Sequence, residues 1–261
     1  MLAVAVSHMG YQMRLLSWLG VAFLSLAPYA AHAAPHNIAV FGDSLADGTW
    51  SGLYQELKAH PEDKLYRDSK VGTGITRPDY DDFFTGFAAT LAPDHVTDVV
   101  VMFGANDYGN SLRDEDHKGY LFQSPGWTKI YEARVANIIT TCQKLGIKVY
   151  WIGLPVLRDP GRNQGALFLN GILQQVVTSN GATFIPLEDD FKGPDGGFAT
   201  HLPDAQGDLR DVRAEDGVHF SFYGYDLIAK KVLGVVLAPT PAPAAKPAPP
   251  AAPPAAPQTK S

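Results

Sequence analysis

Short apolar runs rich in β-branched residues alternate with stretches of helical period along the middle of this chain. Strands are predicted at 37–41, 65–71, 99–103, 148–154 and 183–187. Helices are predicted at 45–59, 80–91, 128–145, 164–179 and 223–237. Continuously apolar strands such as VVVMF at 99–103 are typical of parallel sheets that are covered on both faces. The order of elements therefore predicts an α/β fold, a three-layer α/β/α sandwich with a five-stranded parallel sheet.

Both ends of the chain differ in composition from this central region. Arg14 precedes an apolar run at 15–27, and Ala31 and Ala33 follow at the spacing of a cleavage site, which predicts a secretory signal peptide at 1–33. The alternative is an uncleaved anchor helix, but a helix needs about 20 apolar residues to span a bilayer. The segment 238–261 is almost entirely Pro and Ala and is predicted to be a disordered tail, either a passive spacer or a tether.

The remaining segment, 37–237, is long enough for one domain with a full core. Charge and cysteine content indicate its partners and its cellular compartment. The net charge of -6 and the lack of a basic run argue against nucleic acid as a partner. The single Cys142 allows no internal disulfide, and its helical surroundings predict a core position. We expect an exported bacterial envelope protein, periplasmic or secreted, with no stable membrane insertion after the signal is cleaved.

Four polar or glycine-containing motifs follow the predicted strands. They are GDSL at 42–45, the glycines Gly72 and Gly74, GAND at 104–107, and DGVH at 216–219 before the last helix. In parallel sheets, active sites form outside the carboxyl ends of the strands. All four motifs fall on that edge, whereas chance matches would fall on both edges. The sequence therefore predicts one site built from these loops.

Three of these residues have the chemistry of a hydrolytic triad. Ser44 lies where a strand turns into a helix, so that its hydroxyl lies beside free helix N–H groups. His219 can act as a general base, and Asp216 can fix the tautomer of the imidazole. The alternative for Ser44 is an ordinary helix cap. The alternative for the other two is a capping Asp and a packed His. Asn106 can donate an amide N–H to an oxyanion, or can serve as a turn residue.

Together these motifs resemble the four sequence blocks of the SGNH, or GDSL, hydrolase superfamily. The longer stretches DSLADG (43–48), TRPDY (76–80) and VYWIGLP (149–155) are similar to a bacterial exported branch, the DUF459 domain. The resemblance extends over almost the whole of 37–237. It implies a flavodoxin-like SGNH hydrolase fold and a carboxylic ester hydrolase.

The resemblance also implies roles for individual residues. Ser44 would be the nucleophile, His219 the base and Asp216 its orienting partner. The oxyanion hole would comprise the Ser44 backbone N–H, the Asn106 side chain and a glycine N–H, for which Gly74 is favoured over Gly72. The mechanism needs no cofactor or metal, and no cluster with ligand spacing argues for one. Substrate-binding residues are not identified by the sequence.

The implied reaction is acyl transfer from an ester to Ser44 and then to water. For an exported protein, we expect acyl groups, in particular acetyl groups, on a carbohydrate such as peptidoglycan or an exopolysaccharide. The alternatives are an O-acyltransferase that uses the same triad and a non-catalytic assembly or binding protein of an envelope polysaccharide system. The long loop at 108–127 is interpreted as a substrate-facing flap, or else as a solvated excursion. Sugar stacking, or a place in the core, is considered for four aromatic residues, which are Trp50, Tyr80, Tyr108 and Trp127.

Overall fold

The computed structural model describes residues 34–238 except Glu115. The predicted signal peptide at 1–33 lies outside the described residues, as does the predicted tail at 238–261 apart from Ala238. No helix in the described part of the chain has the length and apolar character needed to cross a bilayer.

The observed elements follow the predicted order. The strands are β1 (Asn37–Gly42), β2 (Lys64–Ser69), β3 (Asp98–Met102), β4 (Leu112–Arg113), β5 (Gly119–Tyr120), β6 (Lys148–Ile152), β7 (Thr183–Ile185), β8 (His201–Pro203) and β9 (Leu209–Asp211). The helices are α1 (Ser44–Glu56, continued by a 3-10 turn at Leu57–Ala59), α2 (Tyr80–Thr90), α3 (Pro125–Lys144), α4 (Pro160–Ser179) and α5 (Phe222–Val236). Helices α3 and α4 begin earlier than predicted because each starts at a proline behind a side-chain cap, Ser124 and Asp159 respectively.

The main sheet has five strands in the order β2-β1-β3-β6-β7, and every neighbouring pair is parallel. This confirms the predicted fold class. The remaining four strands form two short antiparallel hairpins, β4–β5 and β8–β9, which the sequence did not predict. Strands of two or three residues are too short to show an alternating pattern.

Helices cover both faces of the sheet. Right-handed crossovers place α1 on one face and α2, α3 and α4 on the other, because the chain moves from β1 to β2 in one direction along the sheet and afterwards in the opposite direction. Helix α5 packs against α1. This contact depends on Gly48 and Gly52, since a side chain at either position would collide with Tyr225 of α5. The first and last helices of the domain are therefore packed against each other.

The core lies between the sheet and its helices. Every residue of β3 is buried, and Phe41 of β1 stacks on Phe87 at 3.9 Å and meets the edge of Phe103 at 5.1 Å. Cys142 is free and buried in α3, as predicted. A rigid central sheet of this kind holds the loops at its carboxyl ends in fixed positions.

Candidate active site

The turn that carries Ser44 is sharp. Gly42 ends β1 directly against the carbonyl of Met102, where no side chain would fit. Asp43 then caps helix α1, and its Oδ1 accepts a hydrogen bond from the Leu45 N–H at 2.9 Å. Ser44 is the first residue of α1, so its own N–H has no acceptor within the helix. Its amide and its hydroxyl are both at the carboxyl edge of the sheet.

The turn at 216–219 holds the histidine. Oδ1 of Asp216 accepts hydrogen bonds from the backbone N–H groups of Val218 at 2.8 Å and His219 at 2.9 Å. Its Oδ2 lies 2.5 Å from Nδ1 of His219. Gly217 has a left-handed backbone with φ of 76° and packs against Arg158, so a larger residue would be strained and crowded there. The aspartate therefore sets both the backbone and the ring of His219.

The other ring nitrogen of His219 faces Ser44. Nε2 lies 2.7 Å from Ser44 Oγ, although the two residues are 175 positions apart in the chain. The described residues thus contain a continuous chain of hydrogen bonds from Asp216 through His219 to Ser44. This is the spatial arrangement that a serine nucleophile, its base and the orienting acid require.

Hydrogen bonds stabilise the negative charge of Asp216. Burial alone would raise its pKa, but hydrogen bonds from the His219 side chain and from the backbone of Val218 and His219 outweigh this effect and lower the pKa to about 2. The carboxylate is therefore ionised at neutral pH and can stabilise a positive charge on the imidazole. Because Asp216 is exposed, solvent screens part of this interaction.

Arg213, which the sequence analysis missed, clamps the histidine loop from behind. Its buried guanidinium donates to the carbonyls of His219 at 3.2 Å, Val218 at 2.9 Å and Val156 at 2.7 Å. The rings of Phe198 and Phe220 lie 4.8 Å and 4.5 Å from the guanidinium. Burial lowers the pKa of Arg213 to about 10, so it stays charged at neutral pH. It ties the loop before α5 to the loop after β6.

We predict that Arg213→Met lowers both stability and activity. The variant leaves the carbonyls of Val156 and Val218 without their Arg213 donor, and the free energy of unfolding should fall by about 3 kcal/mol. The reactivity of Ser44 toward an ester probe should fall by about 10–100-fold because His219 is held less precisely. Urea denaturation and steady-state kinetics measure the two effects. Arg210→Met is the control, since Arg210 is exposed on β9 yet also stacks on an aromatic ring. If Arg213→Met and Arg210→Met lose equal stability and equal activity, the role of Arg213 in holding the His219 loop is contradicted.

Asn106 lines the same cavity as Ser44. Its Nδ2 donates to the Thr73 carbonyl at 2.8 Å, which leaves the second N–H of the amide as a donor. Buried Asp107 links the two neighbouring loops, because its Oδ1 accepts from Thr76 N at 2.9 Å and Thr76 Oγ1 at 2.8 Å. Asp107 thus has a structural role.

The two glycines considered for the oxyanion hole, Gly72 and Gly74, differ in their surroundings. Gly74 is buried, and a side chain there would collide with Asp107 Oδ1. Gly72 is exposed in the turn after β2, with φ of 79° and open space around its Cα. Neither glycine lines the cavity. Gly74 lies beside the loop of Asn106, and its role as an oxyanion donor stays a prediction.

Asp43, directly before the serine, is completely buried. Its Oδ2 has no hydrogen-bond partner among the described residues. Burial raises the pKa of Asp43, the amide of Leu45 partly opposes this effect, and the charge of Asp107 raises the pKa further, to about 7. The carboxyl group next to Ser44 therefore changes its charge close to neutral pH.

This raised pKa predicts a pH dependence of stability. The folded state retains a proton on Asp43 between the ordinary pKa of 3.8 and the folded value of about 7, whereas the unfolded chain loses it. The free energy of unfolding must therefore decrease as the pH rises through this window. Asparagine at position 43 does not titrate, so the Asp43→Asn variant should lack this pH dependence. As the pH rises from about 4 to 7, its free energy of unfolding should increase by on the order of 2–4 kcal/mol relative to that of the wild type. Urea titrations at several pH values measure both slopes. If the free energies of unfolding of the wild type and the variant change with pH in parallel, the raised pKa of Asp43 is contradicted.

A cavity of about 360 Å³ opens at Ser44. Its lining residues are Ser44, Asn106, Leu157, Asp159, Arg162, Asp216, Gly217, Val218 and His219. The structure therefore brings four of the five predicted site residues into one cavity. The wall formed by Leu157, Asp159 and Arg162 was missed. The pair Asp159-Pro160, which follows β6, is a helix-start signal and could have placed this wall at the same edge.

The predicted flap at 108–127 does not cover this cavity. None of its described residues contributes to the cavity lining. Instead the loop folds onto α3 and α4, where Phe122 packs against Trp127 at 4.9 Å and Phe168 at 5.5 Å. Apolar burial of its own aromatic rings determines where the loop lies. Only Tyr108, at its start, reaches the helix turn that forms the cavity wall.

The other three aromatic residues considered for sugar stacking have structural positions. Trp127 and Tyr80 are buried in the core. Trp50 stacks on Tyr54 at 5.5 Å and lies beneath Arg67 at 5.1 Å, away from the cavity lining. Of the four, only Tyr108 is exposed beside the helix turn that forms the cavity wall.

Comparison with known proteins agrees with this architecture. A family model described as "Protein of unknown function (DUF459)" matches residues 37–235. The chain belongs to the DUF459 family. No protein of curated function matches the chain.

Solved hydrolase structures share the fold of this domain. A GDSL-like lipase from Bacteroides thetaiotaomicron is 16% identical, covering 80% of this chain and 93% of that chain, with a TM-score of 0.55. An acetylxylan esterase from Geobacillus stearothermophilus is also 16% identical, covering 77% of this chain and 94% of that chain, with a TM-score of 0.53. At such identities the likeness establishes the fold, which is that of the SGNH hydrolase superfamily.

One partly exposed group among the described residues has the composition of a metal site. His60, Glu62 and Asp63 lie within 4.8 Å of one another before β2. Asp63 already accepts a hydrogen bond from the His36 N–H at 2.7 Å. The group is at the amino end of β2, whereas Ser44 is at the carboxyl edge of the sheet. It therefore has no part in the chemistry at Ser44.

Proposed function

We propose that this protein is an exported serine esterase that removes acyl groups, in particular acetyl groups, from a carbohydrate. The observation that carries the proposal is the hydrogen-bonded chain Asp216–His219–Ser44, which ends in an open cavity beside Asn106. The arrangement supplies a nucleophile, a base and an oxyanion donor within one site.

In the proposed mechanism, Nε2 of His219 takes the proton of Ser44 Oγ as that oxygen attacks the ester carbonyl. The oxyanion receives hydrogen bonds from the Ser44 N–H and from Asn106, and Gly74 is the predicted third donor. His219 then gives its proton to the leaving alcohol. A water molecule, activated in turn by His219, releases the acid and restores Ser44.

Two further observations support the substrate class and the location. The acetylxylan esterase shares the fold, and the small open cavity suits a short acyl group on a large carrier. The apolar run after Arg14 and the small residues Ala31 and Ala33 support export. The proposed substrate is thus an acylated envelope or extracellular polysaccharide, such as peptidoglycan or an exopolysaccharide, met in the periplasm or outside the cell.

Acetate release tests this proposal. The full chain is incubated with O-acetylated xylan and with O-acetylated peptidoglycan, and free acetate is measured. We expect acetate from at least one polymer, and none with Ser44→Ala. Acetyl transfer to an added sugar without free acetate would replace hydrolysis by O-acyltransfer. If neither polymer loses acetyl groups, the carbohydrate assignment fails.

A further inference from the structure

One arginine side chain on the cavity wall has no partner in the part of the chain that the structure describes. Arg162 is the single cationic residue in the lining, and no described residue forms an ion pair or a side-chain hydrogen bond with it. Its neighbour Arg158 differs, because that guanidinium donates to the Glu215 carbonyl at 2.5 Å and stacks on Phe198 at 4.9 Å. The guanidinium of Arg162 thus retains its donors for a ligand.

An acceptor lies on the same wall. Asp159 caps α4, and its Oδ1 accepts from the Arg162 N–H at 2.8 Å. Its second carboxylate oxygen has no partner among the described residues, and no ion pair forms between the two side chains. The wall therefore presents donors and an acceptor side by side. Such a pair can bind two neighbouring hydroxyl groups of one ligand.

An aromatic ring adjoins this pair. Tyr108 is 41% exposed, and its ring is fixed edge-on against Phe122 at 5.5 Å. A Cβ on Gly161 would lie 2.9 Å from the Tyr108 hydroxyl and 3.3 Å from Asp159 Oδ1, so these two oxygens flank the same point. A side chain at Gly165 would collide with the ring. The glycines of α4 thus make room for Tyr108 next to the cavity wall.

From this arrangement we infer that Tyr108, Asp159 and Arg162 form a subsite for the sugar ring that carries the acyl group. The ring face of Tyr108 packs against the apolar face of the sugar, while the two charged side chains bind its hydroxyls. The cavity lining holds two carboxylates against one guanidinium, which disfavours an anionic carrier such as a uronic acid. The inference rests on the proposed function and narrows its substrate to esters of neutral sugars.

Selectivity between two esters tests the subsite. Full-chain wild type, Arg162→Gln and Asp159→Asn are assayed with methyl 3-O-acetylglucoside, which keeps its other hydroxyls free, with methyl 3-O-acetylglucuronide, and with p-nitrophenyl acetate, which lacks a sugar. Asparagine at 159 keeps the helix cap. We expect the ratio of kcat/KM for methyl 3-O-acetylglucoside to kcat/KM for p-nitrophenyl acetate to fall at least about tenfold in each variant. Lys129→Gln, which removes an exposed cation from α3, should leave the ratio unchanged.

The outcomes separate this inference from the function on which it rests. Unchanged ratios in both variants overturn the subsite, even when p-nitrophenyl acetate is hydrolysed. A wild type that prefers methyl 3-O-acetylglucuronide to methyl 3-O-acetylglucoside overturns the assignment to neutral sugars. A wild type that hydrolyses none of the three esters overturns the proposed esterase itself, and the subsite with it.

Discussion

Replacing Ser44 with alanine is expected to lower kcat for ester hydrolysis by at least about 10⁴-fold. Ser44 Oγ is the hydroxyl that lies within hydrogen-bond distance of His219 Nε2, and without it no acyl-enzyme can form. The change deletes one oxygen from a half-buried residue, so the fold should persist. Steady-state hydrolysis of p-nitrophenyl acetate, together with a thermal melt, measures both properties.

The matched control is Ser51→Ala. Ser51 lies on the same helix, about two turns further on, and lines a different surface groove. It should keep full activity. A Ser44→Ala variant that retains more than about one tenth of wild-type kcat would remove this residue from the chemistry.

Replacing His219 with glutamine is expected to lower kcat/KM by about 10³–10⁴-fold at neutral pH. Glutamine cannot take the Ser44 proton, so the residual reaction depends on hydroxide or on spontaneous ionisation of the serine. The residual rate should therefore rise continuously with pH. A merely structural loss would not produce this dependence.

The control for this prediction is another histidine next to an aspartate. His201 is exposed on β8, and its Nε2 lies 3.3 Å from Asp211. His201→Gln should therefore leave the pH–rate profile unchanged. If His219→Gln keeps the wild-type profile at reduced amplitude, His219 positions Ser44 and is not the base.

Much of this architecture could be predicted because its signals are local. Four of the five strands of the main sheet are mostly apolar runs, whereas β2 contains Lys64, Arg67 and Asp68. Each predicted site residue follows a strand or precedes a helix. The carboxyl-end rule then places Ser44, Asn106 and His219 on one edge without knowledge of any contact. Strands β6 and β7 end two residues before their predicted ends, because the apolar pattern continues into the buried loop residues Leu154 and Leu187. Strand β2 also ends two residues early, before Lys70 and the exposed Val71.

The features that were missed depend on contacts between distant parts of the chain. Arg213 binds the carbonyl of Val156, which lies 57 residues away, and a backbone carbonyl leaves no trace in the sequence. The loop at 108–127 has the length of a flap, yet its aromatic rings find a better apolar surface on α3 and α4. Tyr108 could be proposed for sugar stacking, but only the structure separates it from the buried Trp127.

Covalent labelling tests the central claim most directly. The full chain is treated with a fluorophosphonate, the adducts are counted by intact-protein mass spectrometry, and the modified residue is mapped on peptides. An activated serine beside its base predicts a single adduct, on Ser44, that is absent from Ser44→Ala and forms much more slowly in His219→Gln. No adduct on the wild type, or an adduct on another residue, would contradict the assignment of Ser44, His219 and Asp216 as the catalytic centre.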